Sequence, residues 1–188
     1  MLMRKVIHKL FWVWQFDKEE EWLNEMAAKG LALVGTGFCR YEFEESLPGE
    51  YEVRLQLLEK SPVHPESEKY ISFVEETGAE HVGSYMKWVY FRKKKSDGEF
   101  QLFSDTDSKI KQLSMVISFI LLLSIINLVV GVENTYLLIR HYSGVLGGGS
   151  SANIIGFVNL AIGIFGTAGA IRLIRKRNKL KKDKQIYE

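Results

Sequence analysis

The run of residues 113–132 narrows what this chain can be more than any other feature. Its 20 consecutive residues carry no charge and are dominated by Ile, Leu and Val. At a helical rise of about 1.5 Å per residue, such a segment crosses a hydrocarbon core of roughly 30 Å. A second uncharged stretch runs from Tyr142 to Ile171 and opens with residues 144–151, too rich in glycine and serine for a stable helix. The second span is therefore expected over residues 152–171. The competing reading is a buried helical hairpin of a soluble protein.

Charge is distributed to match. Residues 1–112 carry 16 Lys/Arg and 20 Asp/Glu, residues 113–170 one of each, and residues 171–188 eight and two. Lys and Arg near membrane ends favour the cytoplasmic side. Lys109 and Lys111 precede the first span, and Arg172, Arg175, Lys176, Arg177 and Lys179 follow the second, whereas the connection between them offers only Arg140. The expected topology is a cell-membrane protein of two spans with both termini cytoplasmic. Its segments are a domain at 1–105, a linker helix and first span at 106–132, an external Gly/Ser-rich loop at 133–151, the second span at 152–171 and a basic tail at 172–188. The amino terminus is not expected to be a signal peptide: its apolar run is short, holds two tryptophans and leads straight into Asp17-Lys18-Glu19-Glu20-Glu21.

Within the spans, Asn127 and Asn159 fall at similar depths from the cytoplasmic ends, and either a hydrogen bond between them or bonds to their own helices would satisfy the amides. Gly163 with Thr167, and Gly166 with Ala170, have the spacing of small residues that lets helix backbones approach, within the chain or in a dimer. The basic tail fits anionic headgroups better than nucleic acid, because it adjoins a membrane helix.

Ahead of the spans, Asp17 and Glu20 have the form of a capping box, and Trp22, Leu23, Met26 and Ala27 recur at helical spacing up to Gly30, predicting a helix over about 18–29. Residues 6–15 and 31–45 read as extended. Alternation at Tyr51, Val53, Leu55 and Leu57 predicts a strand, expected to pair with 31–45 across the Pro48-Gly49 turn. Tyr70, Ile71, Phe73 and Val74 mark a second helix ending at Gly78. Strands follow at 79–85 and 86–93, then a Ser96-Asp97-Gly98 turn and a strand at 99–103. This order predicts an α+β ferredoxin-like (split βαβ) domain with a β-hairpin extension, followed by a two-helix transmembrane hairpin. Residues 104–107 read as the N-cap region of the helix that enters the bilayer. Trp12, Trp14, Tyr41, Trp88 and Tyr90 are candidates for a partner-binding aromatic face, with burial in the core as the alternative.

A search for chemistry finds little. The four histidines have no metal-ligand spacing, and the lone Cys39 follows Gly37-Phe38 in a strand context that suits a packed thiol. Gly35-Thr36-Gly37 lacks the third glycine and the following helix of a dinucleotide turn, and residues 144–151 lack the lysine of a phosphate loop. No reaction class, metal or cofactor is expected.

The run Glu20-Glu21-Trp22-Leu23-Asn24-Glu25-Met26-Ala27-Ala28-Lys29-Gly30, with Pro48-Gly49-Glu50-Tyr51, Trp88-Val89-Tyr90-Phe91 and Phe103-Ser104-Asp105-Thr106-Asp107-Ser108-Lys109, resembles the bacterial DUF2812 family. The resemblance implies a small soluble domain ahead of membrane helices, often encoded near PadR-like transcriptional regulators, and supplies no catalytic residues. Where that family commonly has Trp-Glu-Leu after the glycine, this chain has Leu31-Ala32-Leu33. The expectation is a non-enzymatic regulatory or sensory membrane protein whose partners are lipids and either another protein or further copies of itself, with no nucleic acid. The alternative is an accessory subunit of a transporter or channel, or an oligomeric one.

Overall fold

The computed structural model describes residues 4–102, 106–142 and 152–187. The chain divides into two compact units, Met1–Ser108 and Lys109–Glu188. The first unit is α+β and contains β1 (Lys5–His8), α1 (Phe16–Ala28), β2 (Leu31–Gly37), β3 (Arg40–Glu45), β4 (Tyr51–Leu57), α2 (Pro65–Glu76), β5 (Glu80–Tyr85) and β6 (Trp88–Lys94). Its strands form two three-stranded antiparallel sheets, ordered β1-β3-β2 and β4-β6-β5, instead of the single split-βαβ sheet expected.

Residues 31–45 do not pair with β4. They fold back on themselves as the β2–β3 hairpin, whose two-residue loop is Phe38-Cys39, while β4 pairs with β6 from Tyr51 opposite Lys94 to Leu57 opposite Trp88. Pro48-Gly49 thus connects the two sheets. Only residues 5–8 of the extended amino-terminal stretch form a strand, and 13–15 make a single 3-10 turn. A second such turn at Lys95–Asp97 replaces the expected late hairpin, and residues 99–102 are not a strand.

The two halves of this unit repeat one plan, strand-helix-strand-strand, with the third strand central in each sheet. From α1 onward they match at a constant offset of 48 residues. Gly30 and Gly78 follow the two helices, each in the left-handed region (φ 79° and 87°) where a side chain is strained. In β2 the register against β3 slips between Leu33 and Gly35; in β5 the register against β6 slips between the counterparts His81 and Gly83. Both hairpins close with two residues, Phe38-Cys39 and Met86-Lys87, and Phe43 and Phe91 are both fully buried. The counterpart strands β2 and β5 lie side by side, and a Cβ on Gly83 would sit 3.2 Å from the backbone nitrogen of Thr36.

Packing follows strand alternation. Leu23 and Met26 of α1 meet Leu33, Tyr41 and Phe43 of the first sheet and Val53, Leu55 and Tyr90 of the second in one cluster. Val89 and Phe91, on the other face of β6, pack with Ile71 and Val74 of α2 and with Leu58, Ala79 and Phe100. The second sheet is therefore covered on both faces. Each fully buried side chain of this size contributes about 1.5–3 kcal/mol.

Two polar devices join the halves. Helix α1 covers the outer edge of β4: the Val53 N–H donates to Asn24 Oδ1 and Asn24 Nδ2 donates to the Val53 carbonyl, both at 2.9 Å. The Leu55 N–H donates to Glu20 Oε2 at 2.8 Å. An unpaired strand edge is a template for aggregation, and these side chains occupy it. Glu20 is thereby unavailable for the capping box; the helix starts at Phe16 with Gln15 as N-cap and Asp17 inside its first turn. The second device is Arg92 on β6. It donates to the Leu33 carbonyl (3.1 Å), to Glu44 (2.8 Å) and to Glu80 (2.7 Å), and its guanidinium lies 4.6 Å from the Tyr51 ring centre.

The second unit consists of α3 (Thr106–Tyr142) and α4 (Ala152–Tyr187). The expected N-cap residues 104 and 105 lie outside the described residues. Helix α3 continues ten residues past the predicted end of the first span, so residues 133–142 are helical rather than loop, and α4 carries the basic tail. The helices run antiparallel with small residues between them. A Cβ on Gly131 would lie 2.8 Å from the Leu160 nitrogen, one on Gly163 2.6 Å from Leu128 Cγ, and one on Gly166 2.3 Å from Ser124 Oγ. Large apolar side chains point away from this seam, among them Leu122, Ile126, Val129, Phe157 and Ile164. Two segments, Asp107–Arg140 and Ile155–Lys184, are long and apolar enough to cross a membrane.

Candidate functional site

The buried stripe of α1 runs through Phe16, Leu23, Met26 and Ala27, and it includes one acid, Glu19. A carboxylate in such a position needs donors, since burying it unpaired is costly. Two tyrosines supply them. Tyr41, from β3, donates to Glu19 Oε1 at 2.8 Å, and Tyr90, from β6, donates to the same oxygen at 2.6 Å. All three residues are buried, and one carboxylate oxygen thus ties α1 to both sheets.

Burial raises the Glu19 pKa above its ordinary value, against the opposing pull of the two tyrosine hydrogen bonds. The same burial, with the Glu19 charge beside them, pushes both tyrosine hydroxyls up. They are held as donors. Glu20 is also raised by burial, opposed by the Leu55 N–H and by Arg54. The arrangement keeps protons in place and joins elements; among the described residues no group of His, Cys, Asp or Glu is placed to hold a metal ion.

Aromatic rings surround this cluster. Phe11 and Trp22 meet Tyr41 edge-on, with centroids at 6.4 and 5.0 Å, and Phe16 lies 5.3 Å from Trp88. Trp12 and Trp14 stack at 5.6 Å. The five aromatic candidates therefore divide. Tyr41 and Tyr90 are buried donors rather than a binding face, because β3 and β6 turn these positions toward α1. Trp14 and Trp88 are half-buried, and Trp12 is 45% exposed. Glu19 itself escaped the sequence reading, although an acid on the apolar stripe of a helix was a usable signal.

In the second unit, the Asn127 amide nitrogen donates to the Leu123 carbonyl of its own helix at 2.8 Å, and no hydrogen bond joins Asn127 to Asn159 among the described residues. A polar side chain in a long apolar helix is satisfied by its own backbone at less entropic cost than across helices. Gly163 and Gly166 face α3 of the same chain, Ala170 is fully buried, and Thr167 donates to the Gly163 carbonyl. Lys109, Lys111, Arg172, Arg175, Lys176 and Lys179 are exposed; Arg177 is half-buried, with its Nε buried and lacking a hydrogen-bond partner.

These features define a small duplicated α+β domain carried ahead of two long apolar helices. The chain belongs to the family described as protein of unknown function DUF2812, whose profile matches residues 15–125. No curated protein and no solved structure matches it.

Proposed function

We propose that this chain is an integral membrane protein of two spans, with both termini cytoplasmic, whose soluble domain acts without catalysis as a regulatory or sensory module for a protein partner. The observation that carries the membrane part is the outward display of large apolar side chains along α3 and α4, while glycines and Ser124 fill the seam between the helices. Water offers no compensation for such a surface, and hydrocarbon does. The basic residues after the second span favour the stated orientation.

The non-catalytic part of this reading is supported by the buried Glu19 and the half-buried Glu20 and Arg92, which are all engaged in bonds that join one element to another. Membrane pellets washed with alkaline carbonate should retain the full chain, and reporters fused at Gly148 and Glu188 should give opposite signals. Release by carbonate, or activity of a periplasm-dependent reporter at Glu188, would refute the topology. Purification in mild detergent decides the role. A soluble co-purifying protein supports regulation, whereas a polytopic membrane protein or a homo-oligomer as sole partner replaces it with a transport-associated function.

A further inference from the structure

Three connections of the soluble unit meet at one end: residues 8–16 after β1, 37–41 around the first hairpin loop and 83–88 around the second. The Lys9 N–H donates to the Cys39 carbonyl at 3.1 Å, the Phe38 and Tyr85 rings lie 5.8 Å apart, and Phe16 packs on Trp88. These 20 residues include eight aromatics and the exposed cations Lys9, Arg40 and Lys87, and they contain no Asp or Glu. Acids begin at their margin, with Asp17 after residue 16 and Glu42 paired with Arg40. The counterpart loop residues Phe38 and Met86 protrude with 71% and 68% of their surface exposed, and Leu10 and Trp12 with 57% and 45%.

Trp and Tyr rings prefer the water–lipid boundary, apolar tips enter it, and Lys and Arg are drawn to anionic headgroups. We propose that this end docks on an anionic lipid surface, with Phe38 and Met86 entering the headgroup layer and Lys9, Arg40 and Lys87 at the level of the phosphates. The cations are not idle meanwhile: Lys9 Nζ lies 4.5 Å from the Trp22 ring centre, Lys87 donates to the Glu59 carbonyl and Arg40 pairs with Glu42. The apolar tips therefore supply the anchoring, and Lys9 and Lys87, which are exposed and held by a ring and a carbonyl rather than by an acid, supply the attraction. The inference rests on the two-span reading, which brings the domain to a membrane.

All four tryptophans, Trp12, Trp14, Trp22 and Trp88, precede the spans, so fluorescence reports on this domain alone. The test is the full chain in nanodiscs of phosphatidylcholine, or of phosphatidylcholine and phosphatidylglycerol in equal parts, containing lipid brominated near the headgroup. Quenching is expected in the anionic discs, falling on the order of twofold or more in neutral discs or at high salt. The double changes Phe38→Ser with Met86→Ser, and Lys9→Gln with Lys87→Gln, at exposed positions, should each reduce it comparably with far-ultraviolet circular dichroism unchanged. Quenching absent in both discs, or indifferent to lipid charge and to both variants, overturns the proposal. So does tryptophan shielding that arises only in discs holding two copies, which marks a self-association surface. Carbonate extraction of the same preparation tests the spans separately.

Discussion

Replacing Arg92 by Met should destabilise the α+β domain by about 3 kcal/mol, a figure that follows from its partners. The side chain is only 12% exposed. Its bond to the Leu33 carbonyl is charge-assisted and contributes about 1.5–3 kcal/mol, and its pair with the half-buried Glu44 adds about 1–2. Its pair with Glu80, whose side chain is 52% exposed, adds at most about 1 kcal/mol, and the Tyr51 ring about 0.5–1. Against this, Met fills the space of the stem and removes the desolvation cost of a guanidinium, which returns roughly 1–3 kcal/mol. Arg92→Lys should cost about 2 kcal/mol, because an ammonium lacks the fork that reaches three acceptors. Lys60→Met, which breaks a pair between exposed side chains, should leave the urea midpoint unchanged. Urea titration of the full chain in mild detergent, followed by tryptophan fluorescence, reads the domain without the two long helices. An Arg92→Met variant within about 1 kcal/mol of the parent would show that the sheets are held by apolar packing alone.

Asn24→Ala removes both bonds to the Val53 backbone and should cost about 2–3 kcal/mol in the same titration, with faster aggregation from the uncovered β4 edge; unchanged stability and aggregation would assign the edge no need of cover. Glu19 has a folded pKa above its ordinary value of 4.5, so the folded state holds that proton more tightly than the unfolded chain. The stabilising contribution of the protonated form is complete below about pH 4.5 and is lost as pH rises through the folded pKa. The stability difference between the parent and Glu19→Gln should therefore shift in the parent's favour as pH falls from neutrality toward that value, and a flat difference would contradict it. Gly131→Ala gains about 1 kcal/mol of helix propensity but loses about 1–3 to the collision with Leu160, so the helices should separate. Far-ultraviolet circular dichroism in mild detergent should show the helices of Gly131→Ala melting earlier than the parent's, and an unchanged melt would show that the seam tolerates the methyl.

What could be read from the residues was whatever rests on local periodicity. The apolar spacing of α1, the alternation of β4, Gly78 at the end of α2, and the presence of two long apolar helices were all legible, though not how far those helices extend. Pairing was not, because the Phe38-Cys39 and Met86-Lys87 loops lack the Asn-Gly or Asp-Gly signature of two-residue turns, although Cys39 and Met86 both take positive φ. Pro48-Gly49, a strong turn signal, drew the expected hairpin to the wrong place. The duplication hid because its counterparts agree in shape more than in identity: Leu23 with Ile71, Tyr41 with Val89, Thr36 with Ser84. Tyr41 and Tyr90 stood out as aromatic residues, but the partner that explains them lies on a helix 22 and 71 positions away, which only the fold brings near.

The Glu44–Arg92 bond joins two residues that occupy the same place in their respective halves. Two identical halves meeting in this way would set like against like: acid facing acid, or guanidinium facing guanidinium. Opposite signs at one shared address make each half a poor mate for its own kind and a good one for its sibling. Two chains meeting through like halves would forfeit this bond, so the charges select the union of unlike halves.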